Sequence, residues 1–246
     1  MELNHLITKA KKIRTEVLKL SLDKNEAHLG GSFSIVEILL SLYDCILTEK
    51  DEFILSKGHA SFPYFLMLKE KGKNPFISTH PEIDLINGIP CTTGSLGHGL
   101  PIGLGMAMAR KLKGKGGNVY VLMGDGECQE GTTWESMLIG AHHKLNNLVV
   151  IIDHNKIQAL GRIDEILSLN NLADKFKAFN WQVIEVNGHS FPEIILALKT
   201  KSLEKPTAVI AHTIKGKGVS CFENDPRWHT RLPDEEELKK ALEELK

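Results

Sequence analysis

Two short polar segments of the sequence contain residue types that could bind a divalent cation and a phosphate group. They are Gly124-Asp-Gly-Glu127 and Asp153-His-Asn-Lys-Ile157, and each comes at the end of an apolar run. The carboxylate of Asp125, the amide oxygen of Asn155 and a backbone carbonyl near Ile157 are hard oxygen ligands of the kind that Mg2+ prefers, and a diphosphate and water would complete its coordination. Glycines beside the aspartate allow backbone amides to approach an anion.

Taken singly, these segments have simpler interpretations. A Gly-Asp-Gly sequence is more often only a turn, and an asparagine after a strand is usually a cap. The pair is more informative, because Asn155 follows Asp125 by 30 residues and both come after predicted buried strands. In open parallel sheets, ligands bind at the carboxyl ends of the strands. We therefore predict that the two segments form one site.

Four of the eleven histidines lie where a side chain could act on a substrate. His28 precedes Leu-Gly-Gly, His59 follows a strand end, and His80 and His229 lie in irregular segments. Imidazole can take up or release a proton near neutral pH, which makes these four candidate acid–base groups, although a histidine in a loop is more often simply solvated. Four others are predicted to be structural: His142, His143, His189 and His212.

The elements that must position these residues follow from the hydrophobic pattern. The apolar runs 118–123 and 148–153 predict buried strands, and the helical spacing of 133–144 between them predicts a βαβ crossover, hence a parallel sheet. Further strands are predicted over 52–56, 181–186 and 207–212, and further helices over 100–113, 172–179 and 191–203. We predict a three-layer α/β fold with helices on both faces of the sheet.

The N-terminal third of the chain is predicted to be mainly helical. Residues 6–20 have apolar side chains at helical spacing. Ser34-Ile-Val-Glu37 predicts a capping box that opens a helix from Ile35 to Leu47. Residues 72–93 are rich in Gly, Pro and Asn without a clear period, and a loop of this length is usually functional or mobile.

The composition excludes several classes of protein. The 246 residues, 42% of them hydrophobic, suffice for one large α/β domain or two small ones, and we predict a single domain over 1–246. A net charge of −1 gives no indication of a nucleic-acid or membrane partner. The cysteines form no CxxC pair, so we expect neither a zinc site nor disulfides, which suits the cytoplasm. We see no signal peptide, and no apolar stretch approaches the ~20 residues of a membrane span.

The segment 124–157, GDGECQEGTTWESMLIGAHHKLNNLVVIIDHNKI, resembles the cofactor-binding segment of transketolases, in which Gly-Asp-Gly is followed by Asn at the corresponding interval. Other matching motifs occur in the family's order, and they are Ala27–Ser32, Leu55–His59, Thr92–Gly99 and Lys215–Gly218. The resemblance extends over most of the chain. It implies the thiamine-diphosphate-binding fold of this family, with thiamine diphosphate and Mg2+ as cofactors.

The resemblance also implies roles for individual residues. The metal ligands would be Asp125, Asn155 and the carbonyl of Ile157. The residues in contact with the cofactor would be His59, Gly94, Leu96, Gly124, Asp125, Gly126, Glu127, Asn155, Ile157 and His229. The catalytic residues would be His28, His59, His80, His229 and Glu130.

In transketolases the matching histidines surround the diphosphate, the reactive thiazolium carbon and the sugar hydroxyls. By this resemblance, His28 and His59 would face the cofactor and the reacting sugar. His80 would contact the hydroxyl and carbonyl end of the donor, and His229 would reach the diphosphate and a substrate oxygen. Glu130 would lie at a subunit contact that communicates with the catalytic carboxylate of a neighbouring module.

Two departures from the family pattern bear on assembly and substrate. The chain has His28-Leu-Gly where full-length transketolases usually have His-Pro-Gly, a variant that resembles the N-terminal subunits of two-gene transketolases. It has Gly94-Ser-Leu-Gly-His-Gly99 in place of Gly-Pro-Leu-Gly-Gln-Gly. In the family, the glutamate that contacts the aminopyrimidine ring belongs to a second module. The resemblance therefore implies a separate pyrimidine-binding (C-terminal) subunit, an α2β2 assembly in which this chain also self-associates, and a docking face near Glu130 and Glu135.

The implied reaction is transfer of a two-carbon ketol unit from a ketose or ketose phosphate to an aldose or aldose phosphate. Two alternatives remain open: a subunit of another thiamine diphosphate enzyme, such as a 2-oxo-acid dehydrogenase or a deoxyxylulose-phosphate-synthase-like enzyme, and a non-catalytic module. His59, His80 and the 92–99 motif favour a transketolase, because 2-oxo acids need fewer hydroxyl-binding histidines. Asp125 and Asn155 argue against a module without catalysis. A nicotinamide site is excluded, because the third glycine of GxGxxG is absent after Gly126.

Overall fold

A computed structural model describes residues 3–26 and 28–246 of the chain. The predicted domain's first two residues, and Ala27 of the first family motif, lie outside the described residues. The described chain contains a five-stranded sheet with the order β1-β2-β3-β5-β4, and all four strand pairings are parallel. Its strands are β1 Glu52–Leu55, β2 Val119–Gly124, β3 Leu148–His154, β4 Gln182–Asn187 and β5 Thr207–His212. The predicted parallel sheet is confirmed.

Helices cover both faces of this sheet. Successive side chains of a strand point to opposite faces. In β2, Tyr120 and Leu122 pack into one apolar cluster with the N-terminal helices, whereas Val119, Val121 and Met123 pack into a second cluster on the other face. Strands buried on both faces have nearly continuous apolar sequences, as β2 and β3 do. The predicted three-layer architecture is confirmed.

The helices agree with most of the predicted ones. The longer helices are α1 Leu3–Lys24, α4 Ser61–Glu70, α5 Gly99–Leu112, α6 Gly131–His142, α9 Phe191–Lys199 and α10 Glu235–Glu244. The shorter ones are α2 Leu29–Ser34, α3 Val36–Ser41, α7 Ile163–Ile166 and α8 Leu172–Ala178. The helix predicted over 191–203 ends earlier, at Lys199. Among the described helices, none has the length and hydropathy of a membrane span.

The predicted capping box at Ser34 is wrong. The chain forms α2, then α3, then a π-helical turn over Leu42–Ile46, and the N-cap of α3 is Ile35 without a side-chain cap. The Ser34 hydroxyl instead bonds to Gly31 O at 3.0 Å and to a carboxylate oxygen of Asp153 at 2.7 Å. The Ser34 hydroxyl that would form the cap is therefore bonded to the neighbouring Gly31 and to the distant Asp153 instead.

The site is positioned by the carboxyl edge of the sheet. Strands β1, β2 and β3 run side by side, with Leu55 paired to Leu122 and Gly124 paired to Asp153. The segments that leave these strands therefore start at one edge. The predicted irregular segment 72–93 is confirmed, since it contains no helix or strand and only an isolated bridge between Asp84 and Ile89.

Candidate active site

A cavity of about 240 Å3 opens at the carboxyl edge of the sheet. It brings together all the residues predicted to bind the cofactor and all four candidate histidines. These predicted residues line it: His28, His59, His80, Gly94, Leu96, Gly124, Asp125, Gly126, Glu127, Asn155, Ile157 and His229. Five residues without a predicted role also line it: Gly31, Lys57, Gln158, Ala159 and Lys215. Glu130 does not line the cavity.

Asp125 presents a buried carboxylate to this cavity. Its two oxygens accept hydrogen bonds from the backbone N–H groups of Gly126, at 2.9 Å, and Lys156, at 2.6 Å. Burial, and then the nearby Asp153 carboxylate, raise the pKa of Asp125 to about 7. Among the described residues, no lysine, arginine or histidine forms an ion pair with Asp125. A desolvated carboxylate in this condition would be stabilised by a bound cation.

Asn155 is held with a defined amide orientation. Its Nδ2 donates to Asp153 at 2.9 Å, and its Oδ1 accepts from the N–H of Ile157 at 3.0 Å. The carbonyl oxygen of Ile157 already accepts from the ammonium of Lys215 at 3.0 Å. The carboxylate, amide oxygen and carbonyl form a set of hard oxygen donors, which fits Mg2+. The described residues contain no cluster of three acidic, histidine or cysteine side chains suited to a metal. The proposed donor set does not require such a cluster, because only one of its three donors is an acidic side chain.

Asp153 organises the floor of the site, a role that the sequence did not reveal. It is fully buried, and it accepts hydrogen bonds from Ser34, Lys57, Asn155 and Thr213. Burial alone would raise the pKa of Asp153, but the Lys57 ammonium and these donors lower it below its usual value. A buried ion pair with additional hydrogen bonds is costly to break, so the network holds its members in place.

Two buried ammonium groups line the cavity beside the Asp125 and Glu127 carboxylates. Lys57 and Lys215 are each 2% exposed. Burial, followed by the charge of Lys57, lowers the pKa of Lys215 to about 8. The Lys215 ammonium also donates to Nδ1 of His229 at 3.3 Å. Lys57 is paired with Asp153, whereas Lys215 forms no ion pair among the described residues, so Lys215 is the cation better placed to attract an anionic ligand such as a phosphate.

The four candidate histidines form a cluster around His28. Ring centroids lie 5.5 Å from His28 for His59, 6.2 Å for His80 and 5.2 Å for His229. Burial lowers the pKa of His28 and of His59, and burial followed by the Lys215 charge lowers that of His229 to about 3. These shifts favour the neutral form of all three imidazoles. Nδ1 of His28 is buried without a hydrogen-bond partner in the described structure.

Comparison with known proteins decides the family. The family model described as "Transketolase, thiamine diphosphate binding domain" matches residues 10–245. The chain belongs to the transketolase family. The resemblance found in the sequence is thereby confirmed, and so is the thiamine diphosphate cofactor of the matched domain.

Relatives of this transketolase chain include single subunits of about its own length. The chain is 36% identical to a subunit of the apulose-4-phosphate transketolase of Phocaeicola vulgatus, covering 100% of itself and 95% of that protein. It is 39% identical to the corresponding subunit from Actinobacillus succinogenes, covering 99% and 96%. The crystal structure of Campylobacter jejuni transketolase superposes with a TM-score of 0.88 at 28% identity. The chain covers 43% of that protein, and all of itself.

Glu127 of this transketolase chain holds two loops together. One carboxylate oxygen accepts from the Ser56 hydroxyl and from the N–H of Gly97 at 3.0 Å, and the other accepts from the N–H of Gly124 at 2.8 Å. Gly94, in the loop that Glu127 anchors, has a φ of 144°. A Cβ at Gly94 would lie 3.0 Å from the ring of His80, so the close approach of this loop requires glycine.

Glu130 lies outside the cavity, at the start of α6, and is half-buried. Its side chain packs against Gly97, where an added Cβ would come within 2.7 Å of it. The outer face of α6 presents Glu135 together with Leu138, 61% exposed, and Ile139, 44% exposed. Large exposed apolar side chains on one helix face are typical of an interaction surface.

The transketolase site therefore contains three charged residues whose roles were not predicted from the sequence, in addition to Gly31, Gln158 and Ala159 in the cavity lining. Lys57 and Lys215 lie in family motifs that were recognised, and a signal for their role was available, since a lysine between a strand and a glycine turn is well placed to meet a phosphate. Asp153 gave no comparable signal, because an aspartate at the end of a strand is usually solvated.

Proposed function

We propose that this chain is the diphosphate-binding subunit of a two-subunit transketolase that transfers a two-carbon ketol unit from a ketose to an aldose. The observation that carries the proposal is the single cavity in which a magnesium-type donor set, two buried lysines and a histidine cluster meet. We infer that residues 1–246 act as one domain, since all the named strands belong to the same sheet.

In the proposed enzyme, Asp125, Asn155 and the carbonyl of Ile157 hold Mg2+ against the diphosphate. The raised pKa of Asp125 supports this assignment, because a bound dication would relieve the cost of a buried carboxylate. Lys57 and Lys215 supply positive charge to the same anion. The ammonium that now contacts the Ile157 carbonyl indicates that this oxygen attracts cations.

Bound thiamine diphosphate would supply the nucleophilic carbon and the electron sink for cleavage of the carbon–carbon bond. The histidine cluster would handle the protons of the sugar. A neutral imidazole can accept a proton from a hydroxyl and then donate it to a developing alkoxide. His80 contacts the Gly94 loop and would reach the donor sugar, and His28, His59 and His229 line the same cavity. Leu96, 43% exposed, would pack against the thiazolium ring.

The proposed partner is a pyrimidine-binding subunit that supplies the aminopyrimidine glutamate. The relatives from P. vulgatus and A. succinogenes are each named as one subunit of a transketolase, and the chain covers only 43% of the C. jejuni transketolase. The exposed apolar face of α6, which adjoins Glu130, is a suitable docking surface for the pyrimidine-binding subunit. We propose an α2β2 heterotetramer in which this chain also self-associates, with Glu130 at the subunit contact.

The proposed substrates are sugar phosphates, because the relatives from P. vulgatus and A. succinogenes, 36% and 39% identical, carry apulose 4-phosphate in their names. The four cysteines are all unpaired in the structure, which supports a cytoplasmic location.

A two-carbon transfer assay tests this function. The purified chain alone should be inactive with a ketose and an aldose phosphate, and addition of the candidate pyrimidine-binding subunit, Mg2+ and thiamine diphosphate should restore turnover. Full turnover by the rigorously purified chain would contradict the two-subunit proposal. An inactive complex that nevertheless binds thiamine diphosphate would contradict the proposed substrates.

A further inference from the structure

His189 lies in the turn between β4 and α9, outside the cavity, and its side chain is only 12% exposed. Its two ring nitrogens have different partners. Nε2 accepts a hydrogen bond from the backbone N–H of Ile214 at 2.8 Å, and Nδ1 lies 3.0 Å from a carboxylate oxygen of Glu37. Because a backbone N–H can only donate, Nε2 must be unprotonated and Nδ1 must donate to Glu37.

Glu37 is held in its charged form by a second buried group. Arg14 donates to both of its carboxylate oxygens, at 2.8 and 2.7 Å, and also to the carbonyl of Phe33 at 2.9 Å. A bidentate pair of this kind is strong and geometrically specific. The carboxylate therefore remains an acceptor for His189, and this fixes both the tautomer and the ring orientation of the histidine.

The Ile214 amide belongs to the segment that delivers Lys215 to the cavity. Thr213 donates to Asp153, and the N–H of Gly216 donates to the carbonyl of Gly30 at 2.9 Å. Between these two anchors the backbone is held at two further points: the N–H of Ile214 donates to His189 at 2.8 Å, and the carbonyl of Lys215 accepts from the N–H of Asn224 at 2.9 Å. The His189 bond is the one that comes from the β4–α9 turn. The ammonium of Lys215 then reaches the carbonyl of Ile157, beside the proposed metal site.

We propose that His189 is a positioning residue for the diphosphate site: it clamps the N–H of Ile214 so that Lys215 points into the cavity. The link runs from Arg14 through Glu37 and His189 to the backbone beside Lys215. His189 is separated from Glu37 by 152 residues and from Ile214 by 25, so the clamp joins three distant parts of the chain. The consequence for cofactor binding rests on the function proposed above.

Two substitutions distinguish the hydrogen-bonding role of His189 from a role in packing alone. His189→Phe keeps a ring of similar size but removes the acceptor for Ile214. His189→Gln keeps an acceptor for Ile214 and a donor for Glu37, so it should retain the protection of the Ile214 amide and the cofactor affinity that His189→Phe loses. His212→Phe is a matched control, because His212 bonds to the exposed Glu185 and lies two residues before Ile214. Amide hydrogen exchange of Ile214 in the full chain reports directly on this hydrogen bond, because its loss should make the Ile214 amide exchange faster.

Measurements of cofactor affinity test the consequence of the His189–Ile214 hydrogen bond. For the full chain alone, calorimetry measures the binding of inorganic diphosphate in the presence of Mg2+. For the complex with the partner subunit, calorimetry measures the binding of thiamine diphosphate in the presence of Mg2+. We expect His189→Phe to weaken binding by about 10- to 100-fold, the range found when a residue that orients a ligand group is removed. His189→Gln should stay within about threefold of the wild-type protein, and His212→Phe should leave both readouts unchanged.

A double-mutant cycle distinguishes a positioning role from a general loss of stability. In a Lys215→Ala background, His189→Phe should weaken binding by less than about twofold, because its effect passes through the missing lysine. Equal losses in both backgrounds, or unchanged affinity in folded His189→Phe, would overturn the positioning role. Failure of the wild-type protein to bind either probe would overturn the proposed function instead, so the two failures are distinguishable.

Discussion

Because Arg14 and Glu37 form a buried ion pair, we predict that the free energy of unfolding of this chain decreases at acid pH. Burial disfavours the Glu37 carboxylate, yet the Arg14 charge and the His189 hydrogen bond lower its pKa from 4.5 to about 2. A carboxyl with a depressed pKa stabilises the folded state above its unfolded pKa. That stability is lost as the pH falls from the unfolded value of 4.5 toward the folded value of about 2.

The magnitude follows from this shift. Each pKa unit corresponds to about 1.4 kcal/mol, so a depression of roughly two and a half units contributes about 3 kcal/mol near neutral pH. Removing one partner of a buried ion pair costs about 3–5 kcal/mol, which agrees. Glu37→Gln should therefore lower the free energy of unfolding by about 3 kcal/mol near pH 7, or the melting temperature by about 6–12 °C.

Urea unfolding of the wild-type chain and of Glu37→Gln at several pH values measures this effect. Between about pH 7 and about pH 3.5, the difference between the two proteins should shrink by about 1.4 kcal/mol, because only the wild-type protein loses the contribution of the charged Glu37. The control is Glu185→Gln, whose carboxylate pairs with His212 at the surface and should contribute less than about 1 kcal/mol. A difference between wild type and Glu37→Gln that stays constant across this pH range would refute the electrostatic reasoning.

Three further predictions concern the site and its partner. Asp125→Ala should remove magnesium-dependent binding of thiamine diphosphate from the assembled enzyme, and calorimetry that shows unchanged affinity in a folded variant would contradict the metal assignment. His80→Ala should lower turnover by about 10²–10⁴-fold with little change in melting temperature, as expected for an acid–base group; a matching loss of stability would indicate a structural histidine. Leu138→Asp, on the exposed face of α6, should leave the isolated chain folded but weaken its assembly with the pyrimidine-binding subunit in analytical ultracentrifugation, whereas undiminished assembly would exclude this face as the docking surface.

Much of the fold could be predicted from the sequence because its signals are local or periodic. The apolar runs that form β2 and β3 are buried on both faces, and the alternation of strands and helices requires parallel crossovers. Once the sheet is parallel, Asp125 and Asn155 must lie at the same edge, since each follows the carboxyl end of a strand. The sequence alone was therefore sufficient to locate the candidate site and to relate it to transketolases.

Only the tertiary structure decided which polar groups meet within that site. Ser34 bonds to Asp153 across 119 residues of sequence, so a distant buried partner takes the hydroxyl of the predicted capping box. Lys57 meets the same aspartate across 96 residues. His189 was predicted to be structural, but the sequence did not indicate its contacts with Glu37 and with the backbone beside Lys215. Periodicity reports which face of an element is buried, but it carries no information about which distant groups share that burial. A buried polar group must find a partner, and the packing of the layers determines which one is within reach.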